Sequence, residues 1–283
     1  MMSKSPRHGT TEELERFRKV EMSMSTAVTT ERIAEASPRF KARITGVVYL
    51  LFFLTAVLGA FITPGISGLG GMSGDAAATA NTILAHQPSF RLGWALGLIS
   101  TACYVALMAL FYQLFKPVSR SLSLLAAFFG LVGCAVAAFQ NLFQLAPLVL
   151  LGGDSYVSVL NVKQLQSLAL MFLNLNVQAG YIALVFFGVF QLLIGYLIFR
   201  STFLPRILGA LIALAGLGWL TFLSPPLVSY ALPYIEVLGV LAEGSLMLWL
   251  LVMGVNAQRW NEQATAAGAY IRASSPPPAR RPA

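Results

Sequence analysis

Charged side chains are scarce in this chain of 283 residues, of which Asp, Glu, Lys and Arg together make up 11%. A typical soluble domain has about 25%. The four charged types are also missing from five long windows, which span residues 44–74, 92–115, 121–153, 164–199 and 207–235. This pattern excludes a soluble globular fold. Each window is long enough for a helix to cross a membrane, which takes about 20 apolar residues.

Residue types that carry catalysis or bind metals are also few. The chain has two histidines, His8 and His86, which both fall in polar segments, and two cysteines, Cys103 and Cys134, which fall in apolar windows. We find no HExxH or CxxC sequence and no phosphate-binding Walker loop. We therefore expect no catalytic residues, no metal and no cofactor, and we expect both cysteines to pack as small apolar side chains.

The apolar runs predict an all-α, polytopic membrane helix bundle with six transmembrane helices. Closed barrels are the other structure that can span a bilayer, but their strands alternate apolar and polar residues and these runs do not. The predicted spans are Ile44–Ile62, Leu92–Leu114, Leu122–Val149, Gly180–Phe199, Ile207–Phe222 and Tyr234–Val255. The apolar residues 167–177 before the fourth span indicate either an interfacial lead-in or an overlong helix.

Positive charge is distributed asymmetrically about these spans. Seventeen of the 19 Lys and Arg residues lie on one side, and only Arg91 and Lys163 lie on the other. Cytoplasmic loops are enriched in Lys and Arg, so we expect both termini to be cytoplasmic. We interpret the net charge of +8 as span-flanking residues that contact anionic lipid headgroups, and not as a nucleic-acid surface. The expected partner is thus the lipid bilayer, and the sequence indicates no particular protein partner.

Composition divides the chain into three parts. Residues 1–37 are a cytoplasmic N-terminal tail, partly disordered, 38–256 form the six-span domain, and 257–283 are a disordered cytoplasmic tail rich in Pro at its end. We expect no secretory signal, because some 40 polar residues precede the first apolar run. Either translation starts at Met22 or Met24, or residues 1–21 include a short helix with a capping box at Thr10 and Glu13.

Three local features complete this outline. The pair Ser37 and Pro38 predicts that the first helix begins there, before the membrane. The first outer loop opens with a glycine-rich piece and continues with residues 75–86, which have helical composition. Gly93 and Gly97, spaced as GxxxG, predict close helix packing.

Glu243 is the leading candidate for function. It lies within an apolar stretch, and no Lys or Arg occurs between Arg206 and Arg259. A carboxylate at this depth costs about 2.5 to 3.5 kcal/mol on insertion scales, so an intramembrane acid marks a functional site by default. Glu236 precedes it by seven residues, two turns on the same helix face. The two acids at different depths are typical of a proton or cation path.

Seven amide side chains are the other candidates, and we expect most of them to lie at the level of Glu236. They are Gln140, Asn141 and Gln144 in the third span, and Asn174, Asn176, Gln178 and Gln191 in or before the fourth. With the two acids they predict a polar cavity that opens outward between spans three, four and six. The alternative is that the amides hold helices together, at about 0.6 kcal/mol per contact.

Three stretches carry a resemblance to a known family. They are residues 42–50 (ARITGVVYL), residues 74–93 (GDAAATAN, then FRLG), and residues 186–209, with FFG, GYLIFRS and FLPRILG. Together they resemble a bacterial family of six-helix membrane proteins catalogued as a domain of unknown function. The resemblance runs from about Pro38 to Val255 and implies an integral-membrane location, which we expect to be the bacterial inner (plasma) membrane. It implies no activity.

Three functional hypotheses follow from the sequence. The first is a protein that binds or transports a small solute or protons, with Glu243 as the central residue. The second is a non-catalytic membrane partner or regulatory protein, in which the amides pack helices and the tails recruit other proteins. The third hypothesis is a membrane-embedded enzyme. It ranks last because the sequence shows no pair of a nucleophile and a base.

Overall fold

The computed structural model describes residues 37–63, 74–152 and 159–274. Throughout these three ranges the regular structure is helical, without strands. The helices are α1 (Pro38–Ile62), α2 (Ala76–Ala85), α3 (Gln87–Phe115), α4 (Arg120–Leu151), α5 (Val162–Arg200), α6 (Arg206–Leu220), α7 (Pro225–Val252) and α8 (Ala257–Ser274), with a 3₁₀ turn (Thr221–Leu223) after α6. The predicted alternative starts, the Thr10 capping box, most of the glycine-rich loop and the Pro-rich end lie outside the described residues.

Six of these helices are long and apolar enough to cross a membrane. They are α1, α3, α4, α5, α6 together with its 3₁₀ turn, and α7, and the mean hydropathy of their most apolar windows lies between 1.8 and 2.5. The prediction of an all-α bundle with six spans is confirmed, and α1 begins at Pro38 as the sequence indicated. The chain is a multi-pass membrane protein.

Several helix ends differ from the predicted spans, and two of these differences have a clear structural cause. The fourth span belongs to α5, which has 39 residues and is about 58 Å long, so residues 167–177 are part of an overlong helix. The last span ends at Val252 and not at Val255. The reason is Gly254, whose φ of 68° is left-handed and ends the helix.

The six spanning helices form a closed ring in chain order. Each packs against the next in the sequence, and α7 completes the ring by packing against α1. The short helix α2 lies against α5 and α4, with Asp75 as its N-cap. The ring therefore has an interior that all six spanning helices border.

Close backbone contact joins α5 to α6. A β-carbon on Gly195 would lie 2.7 Å from the carbonyl oxygen of Gly209, and the reverse distance is also 2.7 Å. Gly188 and Gly216 form a second such pair, at 2.9 and 2.8 Å. Both members of each pair must stay small, as is common where membrane helices approach closely. The predicted close packing at Gly93 is also present, against Gly59 and Thr63.

Most positive charges lie at one end of the ring, which we name the basic end. The start of α1 and the hairpins α3–α4 and α5–α6 meet there, with the basic side chains Arg39, Lys41, Arg43, Lys116, Arg120, Arg200 and Arg206. The opposite end, here the remote end, has Arg91 and Lys163.

The helix α8 covers part of the basic end. Trp260 is buried, and its Nε1 donates to the carbonyl oxygen of Leu114 at 2.9 Å. Asn256 caps the helix by accepting from the backbone N–H of Arg259 at 3.1 Å. Residues 257–274, which the sequence analysis places in a disordered tail, thus form a helix, for which Trp260 provides an apolar anchor and Asn256 a cap.

The two halves of the ring interior are filled differently. Next to the basic end it contains a core of buried apolar side chains that includes Leu107, Phe111, Phe190, Ile194 and Leu197, none more than 3% exposed. Nearer the remote end it contains polar side chains and two cavities. The interior is thus sealed on one side and polar on the other.

Candidate functional site

Glu243 lies on the inner face of α7, about 14 Å along the helix from its end at Val252. Its two carboxyl oxygens each accept a hydrogen bond from a different helix. The hydroxyl of Tyr49 on α1 donates to Oε2 at 2.9 Å, and Nε2 of Gln191 on α5 donates to Oε1 at 2.5 Å. The carboxyl group therefore links three helices of the ring near the middle of the membrane.

The Glu243 side chain forms part of the wall of an interior cavity of about 270 Å³, which we name the carboxyl cavity. Four aromatic residues border it, together with polar and apolar side chains from α3, α4, α5 and α7, and all six spanning helices contribute to the wall. The wall consists of Phe52, Ser100, Thr101, Tyr104, Cys134, Ala137, Leu184, Phe187, Gln191, Trp219 and Glu243. This volume is just below the range of about 300 to 1,000 Å³ that is usual for ligand pockets, so it suits a small occupant.

The carboxyl cavity has one acidic side chain and no basic one. None of the described residues that line it is Lys, Arg or His. Two donated hydrogen bonds favour an ionised carboxylate, but an ionised group taken out of water without a counter-charge costs several kcal/mol. A proton or a bound cation would supply the missing charge.

The Gln191 amide forms its hydrogen bond to Glu243 through Nε2, whereas no described residue bonds to its oxygen. The residue is 2% exposed, and its Oε1 has no hydrogen-bond partner among the described residues. The amide can take two orientations that differ by half a turn, with Nε2 facing a carboxylate or Oε1 facing a carboxylic acid. Gln191 can therefore serve both protonation states of Glu243.

A second cavity, the amide cavity, lies nearer the remote end and has a volume of about 260 Å³. Gln140, Asn141, Gln144 and Asn176 line it, facing small residues of α1 and α3 that include Gly59, Gly93 and Gly97. It shares Ser100 and Thr101 with the carboxyl cavity. The two cavities are thus neighbours, in line from the remote end toward Glu243.

Two of these amides also donate hydrogen bonds to backbone carbonyl oxygens. Nδ2 of Asn176 donates to the backbone carbonyl of Gln140 at 2.9 Å and so joins α5 to α4. Nδ2 of Asn141 donates to the carbonyl of Ala137, one turn back on its own helix, at 2.8 Å. Asn176 therefore has a packing role even though it borders the amide cavity, whereas the Asn141 amide is bonded within its own helix.

Three of the predicted residues do not join the two cavities. Asn174 and Gln178 are exposed and line a separate groove of about 360 Å³ that α5 forms with Ala76 of α2. Glu236 is half-buried beside Tyr181 and lines none of these spaces. The prediction of walls from spans three, four and six is also incomplete, because α1 and α3 contribute to both cavities.

Sequence reasoning missed the residues that surround Glu243. Tyr49 is 194 positions away in the chain, so no local pattern shows the contact. Tyr104 and Phe187 pack edge to face with centroids 4.8 Å apart, yet in the sequence they are indistinguishable from ordinary core aromatics. Within the described part of the chain, no three His, Cys, Asp or Glu side chains come together as a metal site would require, and Cys103 and Cys134 are free thiols.

Comparison with known proteins gives a family and no activity. A protein of Archaeoglobus fulgidus, described as "Uncharacterized protein", is 27% identical over 145 residues, which cover 50% of this chain and 72% of that protein. No solved structure matches the chain. Residues 44–254 match the family described as "Domain of unknown function (DUF4386)". The resemblance seen in the sequence is confirmed, and the chain belongs to this family of membrane proteins.

Proposed function

We propose that this protein binds a small solute in the carboxyl cavity and passes the solute or a proton between Glu243 and the remote side of the membrane. The observation that carries the proposal is the carboxyl group of Glu243, which hydrogen-bonds to two other helices on the wall of a cavity to which the described residues contribute no basic side chain. A carboxyl group that only held helices together would not need a cavity beside it.

The direction of access follows from the charge distribution. The basic end holds most of the Lys and Arg residues, and such residues mark the cytoplasmic side. We infer that both termini are cytoplasmic, that anionic lipid headgroups contact the basic end, and that the amide cavity faces the outside. We infer that in a bacterial cell this membrane is the inner membrane.

An apolar carbodiimide tests whether the Glu243 carboxyl exchanges protons and is accessible. The reagent adds to a protonated carboxyl group in an apolar setting and leaves a stable acylurea. We expect mass spectrometry of treated membranes to find the label on Glu243, and we expect Glu243→Gln to abolish it. Glu236, on the same helix, is the internal reference. Label confined to Glu236 would show that Glu243 is inaccessible.

Proton movement is the second test. Purified protein in liposomes that contain a pH-sensitive dye is exposed to a potassium diffusion potential, with wild type, Glu243→Gln and Glu236→Gln compared. If protons pass through Glu243, the dye should report a pH change in liposomes that contain wild type or Glu236→Gln. Liposomes that contain Glu243→Gln should show no such change. Equal responses in all three proteins, together with no carbodiimide label, would refute the proposal.

One observation favours the alternative of a membrane partner protein. The helix α8 is ordered, anchored by Trp260 and by the contact of Gln263 Oε1 with the backbone N–H of Thr202 at 3.2 Å. It presents the exposed residues Gln258, Asn261 and Glu262 away from the ring. A docked helix with a polar outer face can recruit a second protein. A stoichiometric partner that co-purifies and is lost when residues 257–283 are deleted would favour this function.

A further inference from the structure

We propose that the carboxyl cavity recognises a small organic cation of the alkylammonium class. This inference rests on the proposed function and specifies its ligand. It starts from the charge: the wall supplies one carboxylate, from Glu243, and no basic side chain among the described residues. A single negative group surrounded by membrane helices matches a ligand with one positive charge.

The aromatic residues argue for an organic cation. Phe52, Tyr104, Phe187 and Trp219 all border the cavity, and the ring centroids of Phe52 and Tyr104 are 4.6 Å apart. Aromatic groups attract cations through their quadrupole, and cages of such residues recognise quaternary ammonium groups. Alkyl groups around the nitrogen also suit apolar neighbours such as Leu184 and Ala137, which offer nothing to a hydrated ion.

Inorganic cations fit this wall less well. Calcium takes six to eight oxygen ligands and magnesium about six in near-octahedral geometry. The cavity has one carboxyl group, whose single negative charge would leave half of the charge of a divalent ion unbalanced, and its other side-chain oxygens, on Ser100, Thr101, Tyr104 and Gln191, are neutral. The wall therefore combines one charged group with four aromatic rings, which suits a singly charged organic cation better.

The approach to this cavity is polar. The neighbouring amide cavity carries Gln140, Asn141 and Gln144 and shares Ser100 and Thr101 with the carboxyl cavity. Neutral amide oxygens bind a cation only weakly. The carboxylate, which attracts it more strongly, lies farther from the remote end. A cation that enters from the remote end thus meets amides first and the carboxylate and aromatic rings last.

Choline and 3,3-dimethylbutan-1-ol test the inference, because they share a shape and differ by one positive charge. Binding to the purified protein is followed by thermal shift and by isothermal titration. We expect choline to bind and the neutral alcohol to bind at least about tenfold more weakly. Glu243→Gln should weaken choline binding about tenfold or more, and Phe187→Leu about threefold to tenfold.

Two matched controls locate the site. Glu236→Gln removes an acid on the same helix outside the cavities, and Phe139→Leu removes an aromatic ring that is 55% exposed. Both should leave choline binding unchanged. Equal binding of choline and the alcohol, or choline binding that survives Glu243→Gln, would overturn the inference.

The outcome is separable from that of the proposed function. Carbodiimide label on Glu243 with no choline binding would reject the organic cation and leave proton exchange standing. Choline that binds and protects Glu243 from the label would support both. Absence of label and of binding would reject both.

Discussion

The hydrogen bond between Tyr49 and Glu243 closes the helix ring, and its strength can be measured by a double-mutant cycle. Tyr49→Phe removes only the hydroxyl group, since the ring keeps its packing against Phe111 at a centroid distance of 5.8 Å. Tyr49 is 3% exposed, so the lost bond is not replaced by water. A hydrogen bond to a charged group contributes about 1.5 to 3 kcal/mol, and we expect the free energy of unfolding to fall by that amount.

The second arm of the cycle uses Glu243→Met, which removes the acceptor at similar side-chain volume. In that background the Tyr49 hydroxyl has lost its partner, so Tyr49→Phe should cost nothing or should stabilise the protein. The coupling free energy is then at least about 1.5 kcal/mol.

The assay is equilibrium unfolding by SDS in mixed micelles, followed by tryptophan fluorescence. Tyr230→Phe is the control, because Tyr230 is 84% exposed and its substitution should change the unfolding free energy by less than about 0.5 kcal/mol. A coupling free energy below about 0.5 kcal/mol is what independent sites give. That value would show that Tyr49 and Glu243 do not interact and that α7 does not close the ring at this point.

Three further predictions concern packing and topology. Gly209→Ala should destabilise the protein by about 1 to 3 kcal/mol in the same assay, because the added carbon would lie 2.7 Å from the carbonyl oxygen of Gly195. The control is Gly244→Ala, whose added carbon meets no atom within 4 Å. This substitution should be neutral or slightly stabilising. Trp260→Ala should release α8 and speed its proteolysis in detergent, and an unchanged cleavage rate would contradict the docking of this helix. The positive-inside rule predicts a cytoplasmic C-terminus. In a bacterial host, green fluorescent protein fused to this end should therefore fluoresce, and alkaline phosphatase fused to it should be inactive. The reverse result would show that the orientation is opposite to the one inferred here.

The six spans could be predicted because hydropathy depends on local composition. The absence of charge from long windows is enough to place helices of about 20 residues or more in a bilayer. Helix ends were less predictable, since the end of α7 depends on Gly254 and the full length of α5 on residues that lie against α2. The docking of α8 had a visible signal, the apolar face formed by Trp260, Ala264 and Ala267, which the polar composition of the tail obscured.

The candidate site was predictable only in part. Glu243 and Gln191 stand out because polar side chains are rare in apolar stretches. Their hydrogen bond, and the bond from Tyr49, depend on how three helices are rotated about their axes, and the sequence does not state that rotation. The same limit explains Asn174 and Gln178, which lie close to Asn176 in the chain but on a different face of α5.

The motifs that carry the family resemblance serve the architecture more than the chemistry. Gly188, Gly195 and Gly209 lie in the stretches that match best, and all three are positions where α5 and α6 approach closely. The glycines in these family motifs therefore maintain the packing of the helix ring. The proposed function rests instead on what the ring encloses, namely Glu243 and its cavity.

The position of α7 in the ring connects the carboxyl group of Glu243 to movement of this helix. Of the six contacts between neighbouring helices in the ring, the two made by α7, with α6 and with α1, are the least extensive. This loosely packed helix carries Glu243, whose hydrogen bonds to Tyr49 and Gln191 tie it to α1 and α5. A proton or a cation at Glu243 changes these bonds directly, whereas the glycine contacts of α5 and α6 are insensitive to charge. If the ring opens toward the basic end during transport, we expect α7 to move and the α5–α6 pair to stay fixed.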